Sequence, residues 1–333
     1  MVYPPIPLYL TEALGATPVL VGVIEGIAES LASLLKVFSG YVSDRFLAPP
    51  TKPCAKVETN VACTLFGWWG IVKEKHSMSK TPIKAVIFDM GGTLEDLIIT
   101  DEGILRCGEL MLEFLAKHGV HTGLTPAKLM EGVMAGHRAY GKWSSETLLE
   151  APPHEMWARW QVGGFSIDPD LLRVIANDLT VIWELNYYNR VMRPEAPAML
   201  EALKTRGYKL GVLSNTACLT QMFDSIKDYG IDRYFDYITL SSLMGMRKPN
   251  PLVFTVTARN MGVEPSQCIY VGDTIYNDVL GPRRAGYAKT IRIGSHLTMH
   301  SDAADGLGEN AEDADFVIGG LLEIPGILDG LAG

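Results

Sequence analysis

The sequence predicts an α/β protein with a doubly wound parallel sheet, one large helical insertion after the first strand, and a helical N-terminal extension. Three observations carry that expectation. Residues 83–88 form an apolar run in which Val86, Ile87 and Phe88 stand side by side, so both faces of the strand are apolar, as in a central parallel strand. That run stops at Asp89, and Gly91 and Gly92 follow at once, letting the backbone turn sharply and approach a ligand closely. From residue 194 onward, short β-branched runs alternate with helical periods.

The chain has 333 residues, room for about two domains. Its hydrophobic content of 47% and charged content of 20% are those of a folded protein. A net charge of −9 argues against nucleic acid as a partner, because phosphate backbones require a basic surface. Any phosphate site must therefore be local, built from a metal, a lysine and backbone amides. Cys54, Cys63, Cys107, Cys218 and Cys268 are scattered and lack Cys-x-x-Cys spacing, so neither a disulfide framework nor a zinc site is expected. Those cysteines suit a reducing cytoplasm, and no basic stretch with a small-residue cleavage site opens the chain.

Taken in order, residues 1–46 are largely apolar, with Glu25, Glu29 and Lys36 embedded between 18 and 42. The length fits one membrane span, but each charge costs about 2.5–3.5 kcal/mol at mid-bilayer. Gly22, Gly26 and Ser30 make a small-residue face suited to close helix contact. With the run from Gly40 through Tyr41, Val42, Ser43 and Asp44 to Arg45, this segment resembles a fragment of a major facilitator transporter. Membrane association is expected only through residues 18–42, with membrane tethering as the alternative to a cytoplasmic protein. Residues 47–80 carry Pro49, Pro50 and Pro53 and read as a linker. Met78 stands just before Ser79, Lys80, Thr81 and Pro82, which lead into the first strand, so residues 1–77 read as a fusion remnant or a misassigned start.

Residues 81–96 and 194–333 form the expected sheet domain, and residues 97–193 an all-helical cap. Within the cap, Leu105, Leu110, Met111, Phe114 and Leu115 recur at helical spacing before Gly119. Thr125 before Pro126 starts a second helix, Pro152 and Pro153 interrupt the pattern, and Asp168 before Pro169 starts another. The stretch from His137 to Trp143 mixes cationic and aromatic groups, read either as a surface for a small anion or as a solvated helix end. Further strands are expected at 209–213, 237–240, 269–271, 290–293 and 316–318.

Four strand ends bring polar groups to one sheet edge: Asp89, then Ser214 with Asn215, then Lys248 ahead of a helix, then Asp273 and Asp278. A carboxylate can attack phosphorus and split a hard hydrolysis into two easier steps. Attack by an anion on an anion needs compensating positive charge, from a divalent cation and a lysine.

In that order the motifs resemble those of the haloacid dehalogenase-like hydrolase superfamily. The resemblance implies Asp89 as nucleophile and Lys248 as its catalytic partner. It implies Gly92, Thr93, Ser214 and Asn215 as substrate-binding residues. Asp89, the Gly91 carbonyl, Asp273 and Asp278 would hold Mg²⁺. Phosphatases of the family usually place a second Asp two residues after the nucleophile, where this chain has Gly91. Glu95 or Asp96 is the nearest substitute. The expected activity is hydrolysis of a small phosphorylated metabolite through an aspartyl-phosphate. The alternatives are a 2-haloacid dehalogenase-type hydrolase and a catalytically weak binding or regulatory module.

Overall fold

The computed structural model describes residues 82–161, 165–295 and 313–332. The readings made for residues 1–46 and 47–80 lie outside the described residues. Among the described residues, no helix is long and apolar enough to cross a membrane.

Six strands form one sheet: β1 (Ala85–Phe88), β4 (Lys209–Ser214), β5 (Tyr237–Leu240), β6 (Cys268–Gly272), β7 (Lys289–Ile293) and β8 (Phe316–Ile318). Their order is β5-β4-β1-β6-β7-β8, and every neighbouring pair is parallel. β1 is wholly buried, as its lack of alternation requires. Val86 and Phe88 face one core with Leu210, Val212, Ile269 and Val271, closed by Met199, Leu200 and Leu203 of helix α5 (Ala196–Thr205). Ala85 and Ile87 face the other, with Val253, Phe254 and Ala258 of helix α7 (Pro251–Asn260).

Between β1 and β4 the chain builds a helical unit with its own core. α1 (Asp101–Lys117) is capped by the Thr100 side chain, α2 (Pro126–Thr147) by Thr125, and α4 (Pro169–Asn186) by Asp168. A threonine or aspartate cap followed by proline or acidic residues satisfies the free N–H groups of a first turn. α3 (Pro153–Met156) runs directly into a π-turn over Trp157–Gln161. Trp157 and Trp183 lie buried together in this core, and the Trp157 Nε1 donates to Thr180 Oγ1 at 2.9 Å. A Cβ on Gly136 of α2 would collide with the carbonyl of Trp160, so the glycine lets the π-turn approach α2 backbone to backbone.

The expected all-helical segment is corrected at its ends. β2 (Glu95–Leu97) pairs antiparallel with β3 (Arg190–Met192), so the helices hang from a two-stranded ribbon. Three-residue strands with charged members give no period that could be read in advance. Helix α6 (Gln221–Asp228), short and polar in sequence, also went unanticipated.

Candidate active site

β1 and β6 are neighbours, so Asp89 and Asp273 emerge side by side at the carboxyl edge of the sheet. Carboxylate oxygens of Asp89, Asp273 and Asp278 lie within 4.8 Å of one another. Lys248 sits against them, its Nζ 2.9 Å from Asp89 Oδ2 and 2.8 Å from Asp278 Oδ1. The Lys248 ammonium also donates to the Tyr270 hydroxyl at 3.0 Å, which in turn donates to the Leu213 carbonyl at 2.7 Å.

Each of these groups is held by its neighbours. The Met90 amide donates to Asp89 Oδ1 at 2.8 Å. Asp278 Oδ2 accepts from both the amide and the hydroxyl of Thr274, at 3.0 and 2.8 Å. Asn215 clasps the Lys248 backbone from both sides: its Nδ2 donates to the carbonyl at 3.1 Å and its Oδ1 accepts from the amide at 2.9 Å. Gly92 adopts φ +79°, and a Cβ there would collide with the Asp273 carboxylate. The same holds at Gly272 against Asp278. Glycine at these two places lets backbone and carboxylates pack together.

Burial raises the pKa of Asp89 while the Lys248 charge opposes that rise and the nearby Asp278 adds to it. Asp273 is pushed up to about 8, chiefly by burial and then by repulsion from Asp278 and Asp89. Lys248 is held above its usual value, with its two carboxylate partners outweighing its desolvation. Three crowded carboxylates with one ammonium are an oxygen donor set short of positive charge, which suits a hard divalent cation such as Mg²⁺. Asp89 and Asp278 each have both oxygens held by protein donors, which fixes the carboxylates of the cluster in place. No described residue donates a hydrogen bond to the Gly91 carbonyl, and Gly91 lines the same cavity.

That cavity has a volume of about 260 Å³. Its floor is Asp89, Gly91, Ser214, Asn215 and Lys248, and its roof comes from the helical unit. Two of the expected substrate-binding residues do not line it. Thr93 is fully buried, and the Gly92 amide is spent on the Glu95 carbonyl at 2.8 Å. Neither candidate for the missing acid is free. Glu95 is bound by Arg190 and accepts from the Tyr229 hydroxyl at 2.9 Å. Asp96 pairs with Arg193 at 3.0 Å.

Several cavity residues escaped sequence reasoning. Arg190 donates to both Glu95 and Glu184 and stands near Gly91, its Nη1 3.7 Å from where a Cβ would project. Arg247 Nη1 donates to Ser144 Oγ at 2.6 Å and lies 3.6 Å from Glu150. Glu150 in turn accepts from Tyr140 and, at 2.6 Å, from Ser241. Of the mixed stretch in α2, His137, Tyr140 and Gly141 line the cavity, while Arg138 and Lys142 are exposed. Of the two readings of that stretch, the solvated helix end describes its cations, which one side of the helix turns to solvent.

The chain is similar to several known proteins. A glyceraldehyde 3-phosphate phosphatase of Methanopyrus kandleri is 27% identical over 212 residues, covering 63% of this chain and 84% of that protein. A phosphoglycolate phosphatase of Aquifex aeolicus is 34% identical over 113 residues, covering 34% of this chain and 52% of that protein. A 2-haloacid dehalogenase structure from Pseudomonas syringae matches the fold with a TM-score of 0.54 at 20% identity, covering 74% of this chain and 99% of that one. The sequence pattern of the haloacid dehalogenase-like hydrolases matches residues 83–286, well over half of the chain. The transporter resemblance of residues 1–46 falls outside that match and has no support from it. With β1 and its aspartate, the lysine and the acidic pair all inside the matched region, the chain belongs to the haloacid dehalogenase-like hydrolase family.

Proposed function

We propose that this hydrolase is a Mg²⁺-dependent phosphohydrolase that acts on a small phosphorylated metabolite through a phosphorylated Asp89. The observation that carries the reading is the placement of Asp89 in a roofed cavity, 2.9 Å from Lys248 and against Asp273 and Asp278. The names of the relatives, a glyceraldehyde 3-phosphate phosphatase and a phosphoglycolate phosphatase, support a small phosphate ester.

The residues divide the work as follows. An Asp89 oxygen attacks phosphorus and the ester P–O bond breaks, leaving an aspartyl-phosphate and an alkoxide that takes a proton. Water then attacks that phosphorus, the acyl-phosphate P–O bond breaks, and inorganic phosphate departs with Asp89 restored. Lys248 neutralises charge at the attacking oxygen, and Asn215 fixes the backbone that carries it. Ser214 lines the cavity and its hydroxyl has no partner among the described residues, so it is available to a phosphoryl oxygen. Bound Mg²⁺, held by Asp89, Asp273, Asp278 and the Gly91 carbonyl, would supply the remaining charge neutralisation for an anionic substrate.

With glycine at 91 and both nearby acids paired, the alkoxide draws its proton from water. A positioned acid is worth about 10²–10⁴-fold, so esters with good leaving groups should turn over fastest. The dehalogenase alternative needs no metal, and the carboxylate cluster weighs against it. Phosphate release from an aryl phosphate should require Mg²⁺, stop with a chelator, and fall at least ~10³-fold in Asp89→Asn. Equal rates in wild type and variant would discard the reading.

A further inference from the structure

One part of the cavity roof is a set of neutral polar side chains. Tyr188, His137 and Gln161 form a chain there: the tyrosine hydroxyl is 3.3 Å from His137 Nε2, and Gln161 Nε2 is 3.3 Å from His137 Nδ1. Gln161 is 1% exposed, lines the cavity, and its Oε1 has no hydrogen-bond partner among the described residues. A buried amide oxygen left unpaired is costly, so a ligand that supplies the missing bond is favoured. Turning the amide over would only exchange the spare acceptor for a spare donor. A hydroxyl group, which both donates and accepts, satisfies either orientation.

Charge decides against a second anion. The side chains that line the cavity, or lie directly against those that do, include three cations, Arg190, Arg247 and Lys248, and six carboxylates, Asp89, Glu95, Glu150, Glu184, Asp273 and Asp278. Even with a divalent cation added, that shell is negative before a phosphate enters. Both arginines are already matched, Arg190 by two glutamates and Arg247 by Glu150. Burial lowers the pKa of His137 to about 4, with Arg247 adding to the effect, so the imidazole is no counter-ion at neutral pH. At roughly 30 Å³ per water-sized group, 260 Å³ holds about nine, enough for a phosphate and a few carbon or oxygen atoms.

We propose that the cavity selects phosphomonoesters with a short, uncharged, hydroxylated carbon chain over those bearing a carboxylate, and that Gln161 is the residue that reads the hydroxyl. The proposal rests on the phosphohydrolase reading and narrows its substrate class.

The test uses the full-length chain with Mg²⁺ and three esters of matched length: glycerol 3-phosphate, 3-phosphoglycerate and propyl phosphate. Glycerol 3-phosphate should exceed 3-phosphoglycerate in kcat/KM by at least ~10-fold. Gln161→Leu should lower kcat/KM for glycerol 3-phosphate about 10-fold, mainly through KM, and leave propyl phosphate within about twofold. Propyl phosphate thus reports whether the variant is folded. Equal or better use of the carboxylate ester, or an equal loss on propyl phosphate in a chain whose melting curve is unchanged, would overturn the proposal. If the variant does not fold, the wild-type preference decides. Calorimetry with the phosphonate analogues of the two oxygenated esters, whose P–C bond resists hydrolysis, separates the two readings. The neutral analogue binding more tightly in a chain that hydrolyses no ester would remove the phosphohydrolase reading and keep the selectivity. Tighter binding of the acid, or binding of neither, would remove the selectivity.

Discussion

Lys248 serves two carboxylates at once while almost fully buried, an arrangement that pins the ammonium rather than leaving it free to swing. Removing one partner of such a buried pair typically costs about 3–5 kcal/mol, because the remaining charge is stranded. His137 shows the opposite design, a titratable group buried without a charge partner of its own. Its folded pKa of about 4 lies below the usual 6.5, so the unfolded chain binds more protons between those values. Stability from this group is complete above pH 6.5 and is lost as pH falls towards 4, to a total of order 3 kcal/mol. In His137→Asn, the fall in melting temperature between pH 6.5 and 4 should be visibly shallower than in wild type. An unchanged slope would show that His137 is not held neutral. Asp89, Lys248, Asp273 and Asp278 were legible in sequence because each follows a strand or precedes a helix at one sheet edge. Gln161, Arg190 and Arg247 were not, since their meaning lies in partners 24, 95 and 103 residues away. Gly92 and Thr93 stand outside the cavity lining for a related reason: proximity along the chain fixes distance from the turn but not the direction a group faces.

The elements that frame the site are set by contacts of backbone on backbone. Gly136 in α2 poses a conflict between local and tertiary preference. Alanine is a better helix former by about 1 kcal/mol, yet a methyl there would meet the Trp160 carbonyl of the π-turn that carries Gln161. Overpacking against a rigid neighbour costs about 1–3 kcal/mol, so the collision wins. Gly136→Ala should destabilise the chain by about 1–2 kcal/mol in urea unfolding, whereas Gly141→Ala, with open space around it, should not. Equal stability of both variants would contradict this packing. Long helices and central strands were readable from their periods and caps, as at Thr125 and Asp168. The β2–β3 ribbon was hidden because pairing, not composition, makes it: Glu95 and Arg190 meet across the two strands' ends in a buried ion pair that also draws in Glu184.

At the scale of the molecule, 38 acidic side chains against 29 basic ones leave a net charge of −9, while Lys248 is held locally at the site. Long-range attraction to polyanions is therefore absent even where a single phosphate can be held. The full-length chain should pass unretained through a heparin column at about 50 mM salt, well inside the range where phosphate contacts dominate affinity. Retention would reveal a basic face that the balance of charge conceals. The doubly wound architecture followed from strand and helix alternation, while the residues that α2 gives to the roof depended on which of its sides turned inward.

β1 lies mid-sheet, hydrogen-bonded to β4 and β6, so Ala85 aligns with Lys209 and Cys268. A ribosome making this polypeptide releases the nucleophile long before either flanking strand exists. Well over a hundred residues must emerge before one edge of β1 is covered, and nearly sixty more before the other. Pairing over such separations slows folding, and an unpaired apolar strand invites the wrong neighbour. For much of its synthesis the nascent chain carries an apolar central strand bare, which makes the waiting time on the translation machinery a determinant of yield.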